Sequence, residues 1–442
     1  MSTVKVLPYP VYALATDGRY IVTSGGGGGK EYGIKNRLEF YMVSEVNGRT
    51  ELDVEASTSD GLNILDCAEY ISERKAWLGS MGEGTVFFAY RPGKSIRVFG
   101  RVLVAKGKDD PCQMVARLAG SGDFFITGAS DGAVRVWRMS ARLLEMFDDK
   151  ESDGASQYLK LGFTDDYAPT EPSSPCVRND ESDSSYNCVS QSDVETELFE
   201  GLPTDSEGAT TPVSGSNCST ERGSPERMKY PDLERRVAHM LFEYRCHEKQ
   251  VNDCHLSHDG KFAVSVSSDL LVIYQVDPAG LICKRESSMR FKFCRFLKSP
   301  YPNGPYRILT VEWEPKKPSK AVATVWTYAD GDDTICIHKS VCVGSTACSA
   351  LSVRGDNLYF GLGFGNGEVA VYTTDTLKCV LREQRHMLPV TDVAFLRDKL
   401  VSGGADFYVI IKTFQGGLLI YIITILVPIF AYLLYLLTHR QY

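Results

Sequence analysis

The sequence has little of what catalytic and metal centres are made from. It contains seven histidines in 442 residues, and its thirteen cysteines are scattered, with no Cys-x-x-Cys pair of the kind that binds zinc. Scattered cysteines are typical of a reducing compartment, so we expect free thiols that are mostly structural. No Ser/His/Asp constellation or metal-ligand cluster stands out in the chain. The sequence therefore gives no support to a hydrolase or a metalloenzyme.

The chain also lacks an excess of basic residues. It has 48 Lys and Arg against 56 Asp and Glu, and a formal net charge of −8. Without a basic cluster or a recognised nucleic-acid module, we expect no nucleic-acid partner. Much of the acidity lies in residues 148–235, which are rich in Ser, Thr, Asp, Glu and Pro and poor in aliphatic residues. Such a composition cannot bury a core, so it predicts a disordered acidic insert.

An uninterrupted apolar run is absent from the first twenty residues, which therefore do not resemble a secretory signal. Such a run occurs instead at residues 417–437. A helix of this length spans roughly 30 Å, enough to cross a hydrocarbon core, and a proline such as Pro428 is tolerated there. We predict a transmembrane helix at 417–437, with the preceding residues in the cytosol and residues 438–442 as a short lumenal tail.

One local pattern recurs through the rest of the chain. An apolar strand, an Asp-Gly or similar turn, a second strand ending in small residues and another turn precede a strand that ends on an aromatic residue. The clearest copy is Gly122–Trp137. Further copies are Tyr12–Met42, Asp66–Ala89, Asp259–Tyr274, Phe291–Tyr328, Gly355–Tyr372 and Arg397–Ile411. Repeated antiparallel units at a spacing of roughly 40 to 50 residues indicate a β-propeller.

We therefore predict an all-β, seven-bladed WD-type β-propeller. Blades 1–3 are expected in residues 1–147 and blades 4–7 in residues 236–414, with the insert leaving the ring between blades. His247 and His386 share the spacing His-x-x-x-Val-x-Asp. In WD-type repeats a histidine at this place hydrogen-bonds within the blade, so we expect a structural role for both.

The first copy is longer than the others in one turn. The additional residues fall within 25–36, Gly-Gly-Gly-Gly-Gly-Lys-Glu-Tyr-Gly-Ile-Lys-Asn. Five consecutive glycines lose much backbone entropy when they become ordered, so an ordered loop requires a stabilising contact. A bound ion held by backbone carbonyls and a partner surface are both candidates. A flexible loop without a role is the remaining alternative.

The same loop does not match a nucleotide-binding motif. A phosphate-binding loop requires glycine at Ser24 and a metal-binding Ser or Thr at Glu31, and the dinucleotide motif requires a third glycine where Lys30 stands. Both motifs also need a helix after the loop, whereas Leu38–Met42 is expected to form a strand. An enzyme that acts on nucleotide through this loop is therefore disfavoured.

A propeller whose first blade carries a Gly-Gly-Gly-Gly-x-x-x-x-Gly-Ile-x-Asn loop, and which ends in a membrane span, resembles a known family. It is the prolactin regulatory element-binding protein family, the WD-repeat exchange factors of the endoplasmic-reticulum membrane that activate the Sar-type small GTPase. The resemblance covers the propeller and the anchor but not the insert. The family's loop commonly has a lysine two residues before the Gly-Ile pair, where this chain has Glu31, with Lys30 one position earlier.

The resemblance implies guanine-nucleotide exchange, by non-covalent catalysis, on a Sar-type GTPase that starts COPII vesicle budding and ER-to-Golgi transport. It implies that a potassium ion is held by the backbone carbonyls of Gly26, Gly27 and Ile34. It also implies a location in the endoplasmic-reticulum membrane, with the propeller in the cytosol. A membrane-anchored scaffold without exchange activity stays open as the alternative, and no feature indicates an oligomeric state. The expected GTPase-contacting residues are Gly25, Gly26, Gly27, Gly28, Gly33, Ile34 and Asn36.

Overall fold

The computed structural model describes residues 2–27, 33–47, 49–58, 64–93, 95–105, 112–120, 122–148, 237–299, 301, 304–331, 334–414 and 426–432. Within these ranges the strands form seven four-stranded antiparallel sheets. The strands of blades 1 to 3 are β2 Val11–Thr16, β3 Tyr20–Gly25, β4 Arg37–Val46 and β5 Arg49–Thr58; β6 Cys67–Ile71, β7 Ala76–Met81, β8 Gly84–Ala89 and β9 Arg97–Leu103; β10 Gln113–Leu118, β11 Phe124–Ala129, β12 Ala133–Met139 and β13 Ala238–Arg245.

The remaining blades follow the same antiparallel order. Their strands are β14 Asp253–Leu256, β15 Phe262–Val266, β16 Leu270–Gln275 and β17 Gly280–Glu286; β18 Arg290–Leu297, β19 Tyr306–Glu314, β20 Lys320–Tyr328 and β21 Cys336–Gly344; β22 Cys348–Val353, β23 Tyr359–Phe364, β24 Glu368–Thr373 and β25 Cys379–Gln384; and β26 Val390–Leu396, β27 Lys399–Gly404, β28 Tyr408–Thr413 and β1 Ser2–Val6.

The sheets are arranged as a closed ring. The first strands of successive blades contact one another, and β26 of the seventh blade contacts β2 of the first. The ring is closed by β1, which pairs with β28 and so completes the last blade. Closure leaves no sheet without a neighbour on its flank. The prediction of an all-β, seven-bladed propeller is confirmed, and each predicted repeat coincides with strands of one blade.

The predicted position of the insert is wrong. Strands β12 and β13 pair with each other in the third blade, so residues 140–237 connect two strands of one sheet and do not run between blades. Blade 3 consequently extends past residue 236, into the segment assigned to blades 4–7. The reason is that β13 is largely exposed and lacks the alternating apolar pattern that identifies the inner strands. Residues 149–236, which include most of the predicted acidic insert, lie outside the described residues.

A short helix, α1 (Ala141–Asp148), follows β12. The Ser140 hydroxyl accepts the Leu143 amide at 3.1 Å and caps the helix N-terminus. Leu143 and Phe147 are buried in the core shared by blades 2, 3 and 4, where the Phe147 ring lies 4.9 Å from that of Phe99. The helix therefore packs the start of the connection onto the propeller.

The hydrophobic core lies between neighbouring blades. Buried clusters join each adjacent pair of sheets around the ring. Side-chain acceptors also cross from one inner strand to the next: Asp392 accepts the Leu14 amide at 2.7 Å, and Asp253 accepts the Cys294 amide at 3.0 Å. These contacts pair backbone amides that face a neighbouring blade and would otherwise be unpaired at a strand edge. Apolar packing and polar pairing together fix the spacing of the blades.

The predicted membrane span lies mostly outside the described residues. Residues 426–432 are helical and exposed. Of the residues that the structure describes, none belongs to a helix long and apolar enough to cross a membrane. The predicted span at 417–437 and the tail at 438–442 therefore stay predictions.

The two histidines occupy the structural position expected from their spacing. His247 Nε2 lies 2.7 Å from the Ser265 hydroxyl, which in turn lies 3.0 Å from the Tyr274 hydroxyl. His386 Nε2 lies 2.8 Å from the Ser402 hydroxyl. Each imidazole therefore links the connection before a blade to the second strand of that blade, and the predicted intrablade role is confirmed.

Acid should destabilise the propeller through His247. Burial lowers the pKa of His247 to about 4, whereas an exposed histidine titrates near 6.5. The unfolded chain binds the proton more tightly, so the contribution of neutral His247 is present at pH 7 and decreases as the pH falls below about 6.5. We expect a loss of about 2 kcal/mol between pH 7 and pH 5, measured by urea unfolding.

A His247→Gln variant isolates this effect because glutamine does not titrate. It should be less stable at pH 7 but should show a flatter decline towards pH 5. His386→Gln is the matched control, because it removes the imidazole that makes the equivalent hydrogen bond to a serine in blade 7. An unchanged pH slope in His247→Gln would mean that another group causes the acid sensitivity.

Candidate functional site

The glycine-rich loop joins β3 to β4 at one end of the first blade. Residues 26–36 form this connection, whereas residues 130–132 join the corresponding strands of blade 3. The strands are still paired where the loop begins, with Gly25 opposite Arg37. Beyond that pair the Gly27 amide donates to the Ile34 carbonyl at 3.3 Å. The loop therefore leaves the sheet through a narrow neck, which we define as residues 25–27 and 33–36.

Close backbone packing explains the glycines at the start of the neck. A Cβ atom at Gly25 would lie 1.9 Å from the Pro10 carbonyl oxygen, and one at Gly26 would lie 2.3 Å from Asn36 Oδ1. Neither separation is sterically possible without a shift of the neighbouring group. Gly33 has a φ of +67°, a left-handed conformation that glycine adopts without strain. Three of the predicted glycines are thus required by the geometry of the neck itself.

The other predicted residues lie on the returning arm. Ile34 is half-buried and packs against the core between blades 7 and 1. Asn36 is half-buried and faces Gly26, so its side chain occupies the space that a Cβ there would need. Lys35, between them, is exposed. Gly28, Lys30 and Glu31 lie outside the described residues. The structure therefore brings six of the seven predicted site residues together at the neck.

A buried carboxylate lies directly behind the neck. Glu39 is the third residue of β4 and is 3% exposed. It accepts hydrogen bonds from the Tyr9 hydroxyl at 2.8 Å, from the Ser57 hydroxyl at 2.9 Å and from the Tyr41 hydroxyl. The Arg37 guanidinium adds an ion pair at 3.1 Å. A buried charge of this kind is stable only when it is fully hydrogen-bonded, as it is here.

The network modifies the histidine arrangement seen in the fourth and seventh blades. The Tyr9 hydroxyl lies 2.7 Å from the Thr23 hydroxyl, and Thr23 has the same position in β3 as Ser402 has in β27. A phenol therefore replaces the imidazole in blade 1. Burial raises the pKa of both Tyr9 and Tyr41, so both hydroxyls stay protonated and can donate to Glu39.

The charge of Glu39 is set by two opposing effects. Burial alone disfavours the carboxylate, but the hydrogen bonds from Tyr41, Tyr9 and Ser57, together with Arg37, outweigh burial and lower the pKa of Glu39 below its ordinary value. Glu39 is therefore ionised at neutral pH. We call Tyr9, Thr23, Glu39, Tyr41 and Ser57 the base cluster of the loop.

Sequence patterns alone do not reveal the base cluster. One signal was available, because Glu39 interrupts the apolar strand between Leu38 and Phe40. A charged residue at an inner strand position indicates a buried polar network. Its partners could not be found from the sequence, since Tyr9 and Ser57 belong to different parts of the chain.

Two exposed apolar residues lie on the same face of the ring. Met387 is 91% exposed and Leu388 is 48% exposed, immediately before β26. The Thr391 hydroxyl donates to the Val11 carbonyl at 2.5 Å, so the start of β26 lies beside the start of β2. Val11 is paired with Gly25, which places Met387 and Leu388 at the end of the ring where the loop emerges. Adjacent exposed apolar side chains are typical of protein-binding surfaces.

The local setting does not fit the enzyme alternative. The loop is followed by the strand β4, Arg37–Val46, and not by the helix that phosphate-binding and dinucleotide-binding motifs require. In the part of the chain that the structure describes, no group of three or more His, Cys, Asp or Glu side chains is placed to hold a metal ion. The neck offers backbone groups and an amide side chain, which suit binding more than bond chemistry.

Comparison with known proteins agrees with the fold and with the expected resemblance. The family described as "WD domain, G-beta repeat" matches residues 104–138 and 239–274. The chain is 24% identical over 410 residues to the guanine nucleotide-exchange factor SEC12 of Rattus norvegicus, covering 89% of this chain and 82% of that protein. It is 25% identical over 410 residues to the SEC12 of Mus musculus, with the same coverage. The predicted resemblance to this family of exchange factors is confirmed.

Proposed function

We propose that this chain, which resembles the SEC12 guanine nucleotide-exchange factors over 89% of its length, is itself a guanine-nucleotide exchange factor for a Sar-type small GTPase. The observation that carries the proposal is the narrow neck of the first blade, where a long loop emerges from an otherwise rigid ring. Exchange needs no bond chemistry. It needs a surface that binds the nucleotide-free GTPase better than the nucleotide-bound one.

The geometry supports such a surface. Paired strands and the base cluster hold the neck in place. A loop that contacts the switch regions of a GTPase is therefore not displaced by that contact. The loop disturbs the site in the GTPase that binds magnesium and the nucleotide phosphates, and so lowers the affinity of the GTPase for GDP. Met387 and Leu388, on the same face, extend the contact area beyond the loop.

Within this proposal the loop binds a potassium ion. Gly27 and Ile34 approach each other across the neck, since the Gly27 amide donates to the Ile34 carbonyl. The hydrogen bond brings the backbones of the two arms close together, and hard cations prefer the oxygen ligands that backbone carbonyls supply. The residues that would hold the ion through their carbonyls are Gly26, Gly27 and Ile34. Replacing potassium by sodium should both slow exchange and increase proteolytic cleavage of the loop.

The membrane span proposed for residues 417–437 gives the activity its location. An exchange factor anchored in the endoplasmic-reticulum membrane produces the GTP-bound GTPase next to that membrane. The activated GTPase then recruits the COPII coat where it was activated, which starts ER-to-Golgi transport. Anchoring therefore selects the membrane on which the coat assembles.

The proposal is tested by release of a fluorescent GDP analogue from a purified Sar-type GTPase. The full-length chain in detergent should accelerate release by at least about tenfold at saturating concentration, which corresponds to lowering the barrier by about 1.4 kcal/mol. A Ras-type GTPase is the control for specificity and should show no acceleration. Folding is checked by circular dichroism in the same preparation.

The scaffold alternative makes a different prediction. A scaffold would bind the GTPase with the same affinity in its GDP-bound, GTP-bound and nucleotide-free states, and it would leave GDP release unchanged. Binding to the three states by surface plasmon resonance separates the two functions. Equal affinities with a folded protein would favour the scaffold over the exchange factor.

A further inference from the structure

A cavity of about 290 Å³ lies at the junction of blades 4 and 5, away from the glycine loop. Strands of unequal length flank it. Strands β19 and β20 have nine residues each, whereas β15 and β16 of the preceding blade have five and six. The cavity is lined by residues of these longer strands and by the end of β17, namely Glu312, Val322, Thr324, Trp326, Arg285 and Glu286. The connection before β18, which includes Ser287, closes the other side.

A buried carboxyl group forms the floor of this cavity. Glu312 is 5% exposed. It accepts the Ser287 hydroxyl at 3.0 Å and the Thr310 hydroxyl at 3.2 Å. Among the described residues no Lys, Arg or His forms an ion pair with Glu312, and burial raises its pKa. A buried acid without a cation is costly to ionise, and such a group beside a cavity is a candidate binding site.

Other blades fill the same place with an imidazole. His247 reaches Ser265 in blade 4, and His386 reaches Ser402 in blade 7. In blade 5 the connecting segment contains Ser287, Ser288 and Met289 and offers no ring. Here Glu312 accepts a hydrogen bond from Thr310, whose hydroxyl is equivalent to those of Ser265 and Ser402. The space that an imidazole ring would fill stays open. The cavity is thus a modified version of a structural position.

The walls of the cavity are suited to a flat cation. Trp326 donates its indole Nε1–H to the Thr310 hydroxyl at 2.9 Å, which fixes the ring at the side of the cavity. The Thr324 and Ser340 hydroxyls, 3.1 Å apart, provide further acceptors. Ile337, 57% exposed, forms an apolar rim. The aromatic ring on the wall, the carboxyl group on the floor and the apolar rim together match a guanidinium plane and its methylene stem.

We propose that this cavity binds the guanidinium group of an arginine side chain from a partner polypeptide. The guanidinium N–H groups of arginine donate to Glu312 on the floor of the cavity, while the methylene stem lies along Ile337. The contact gives the propeller a second binding position that is independent of the glycine loop. A basic peptide segment can therefore dock on the propeller without competing for the exchange surface.

Binding of short peptides to the full-length chain tests the proposal. An acetylated Gly-Arg-Gly amide should bind at least about tenfold more tightly than the same peptide with citrulline, because citrulline keeps the shape and lacks the charge. Glu312→Gln should abolish this preference. Glu314→Gln is the matched control, since Glu314 lies two residues further along β19, pairs with Lys320 at 3.1 Å and does not line the cavity.

A second variant keeps the test decisive if Glu312→Gln perturbs the fold. Ser340→Arg places a guanidinium on the cavity wall, where it should occupy the site, raise the melting temperature and block binding of the arginine peptide.

Equal affinity for the arginine and citrulline peptides would overturn the proposal. Tighter binding of free spermidine than of the arginine peptide would overturn the assignment to a polypeptide. Gain of peptide binding in Arg285→Gln would identify Arg285, on the rim, as a resident competitor and would support the cation preference.

Discussion

Replacing Asn36 with alanine should reduce nucleotide exchange by about a hundredfold while leaving the melting temperature almost unchanged. Asn36 lies across the neck from Gly26, and its side chain fills the space beside that glycine. Removing the amide leaves the paired strands and the base cluster intact but loosens the neck through which the loop projects. A hundredfold loss of rate corresponds to about 2.7 kcal/mol, which lies in the range of 2 kcal/mol or more found for hot-spot residues of protein interfaces. GDP release and thermal unfolding measure the two effects separately.

Lys35→Ala is the matched control for Asn36→Ala. Lys35 is the exposed residue next to Asn36, so its removal shortens a neighbouring side chain without changing the neck. Exchange by Lys35→Ala should stay within about threefold of the parent activity, as expected for a peripheral contact. If Asn36→Ala instead unfolds the protein, the neck is a structural element. If Asn36→Ala folds and stays fully active, the loop does not make the essential contact.

Gly26→Ala reaches the same neck from the opposite arm. The added Cβ would lie 2.3 Å from Asn36 Oδ1 and 2.6 Å from its Cα, so the two arms must separate. The expected result is the same loss of exchange as in Asn36→Ala. Because both variants act on one contact, the double variant should lose little more than either single variant.

Replacing Glu39 with alanine should destabilise the propeller by about 3 kcal/mol, a typical cost of breaking a buried ionic network. The substitution leaves the hydroxyls of Tyr9, Tyr41 and Ser57 without their common acceptor. It also leaves Arg37 without the carboxylate that lies 3.1 Å away. Urea unfolding at pH 7 measures the loss.

Glu45→Ala is the matched control because Glu45 lies on the same strand but at the surface, where its carboxylate pairs with Lys399. Exposed ion pairs contribute 1 kcal/mol or less, so this variant should unfold close to the parent midpoint. Because Glu39 supports the loop only from behind the neck, exchange per folded molecule should fall less in Glu39→Ala than in Asn36→Ala. Equal stability of Glu39→Ala and Glu45→Ala would show that the buried network is not needed for folding.

Local sequence patterns were sufficient for much of the fold and for the location of the candidate loop. Each predicted repeat corresponds to strands of one blade, because strand alternation and turn residues act over a few neighbouring positions. The two histidines were assigned correctly because their spacing to the following Val and Asp is itself local. The length of the loop could be recognised by comparing turns within the same chain. Five of its residues, 28–32, lie outside the described structure, so the contact role of the loop stays a prediction.

Pairings between distant residues could not be read in this way. Strand β13 follows a long insert and is largely exposed, so its sequence does not reveal that it completes blade 3. Strand β1 carries no sign that it pairs with β28 at the other end of the ring. In both cases the partner is the open edge of a three-stranded blade, because that pairing supplies the fourth strand of the sheet.

The sequence by itself determined the repeat, the number of blades, the structural histidines and the position of an unusually long glycine loop. Tertiary structure alone decided how the ring closes, where the insert leaves it, and which side chains support or line a site. The Glu39 network joins residues from three separate segments, and the Glu312 cavity is lined by strands of two blades and the connection between them. The physical reason is that periodicity is encoded by neighbours along the chain, whereas burial and hydrogen-bond partners are set by surfaces that meet only after folding.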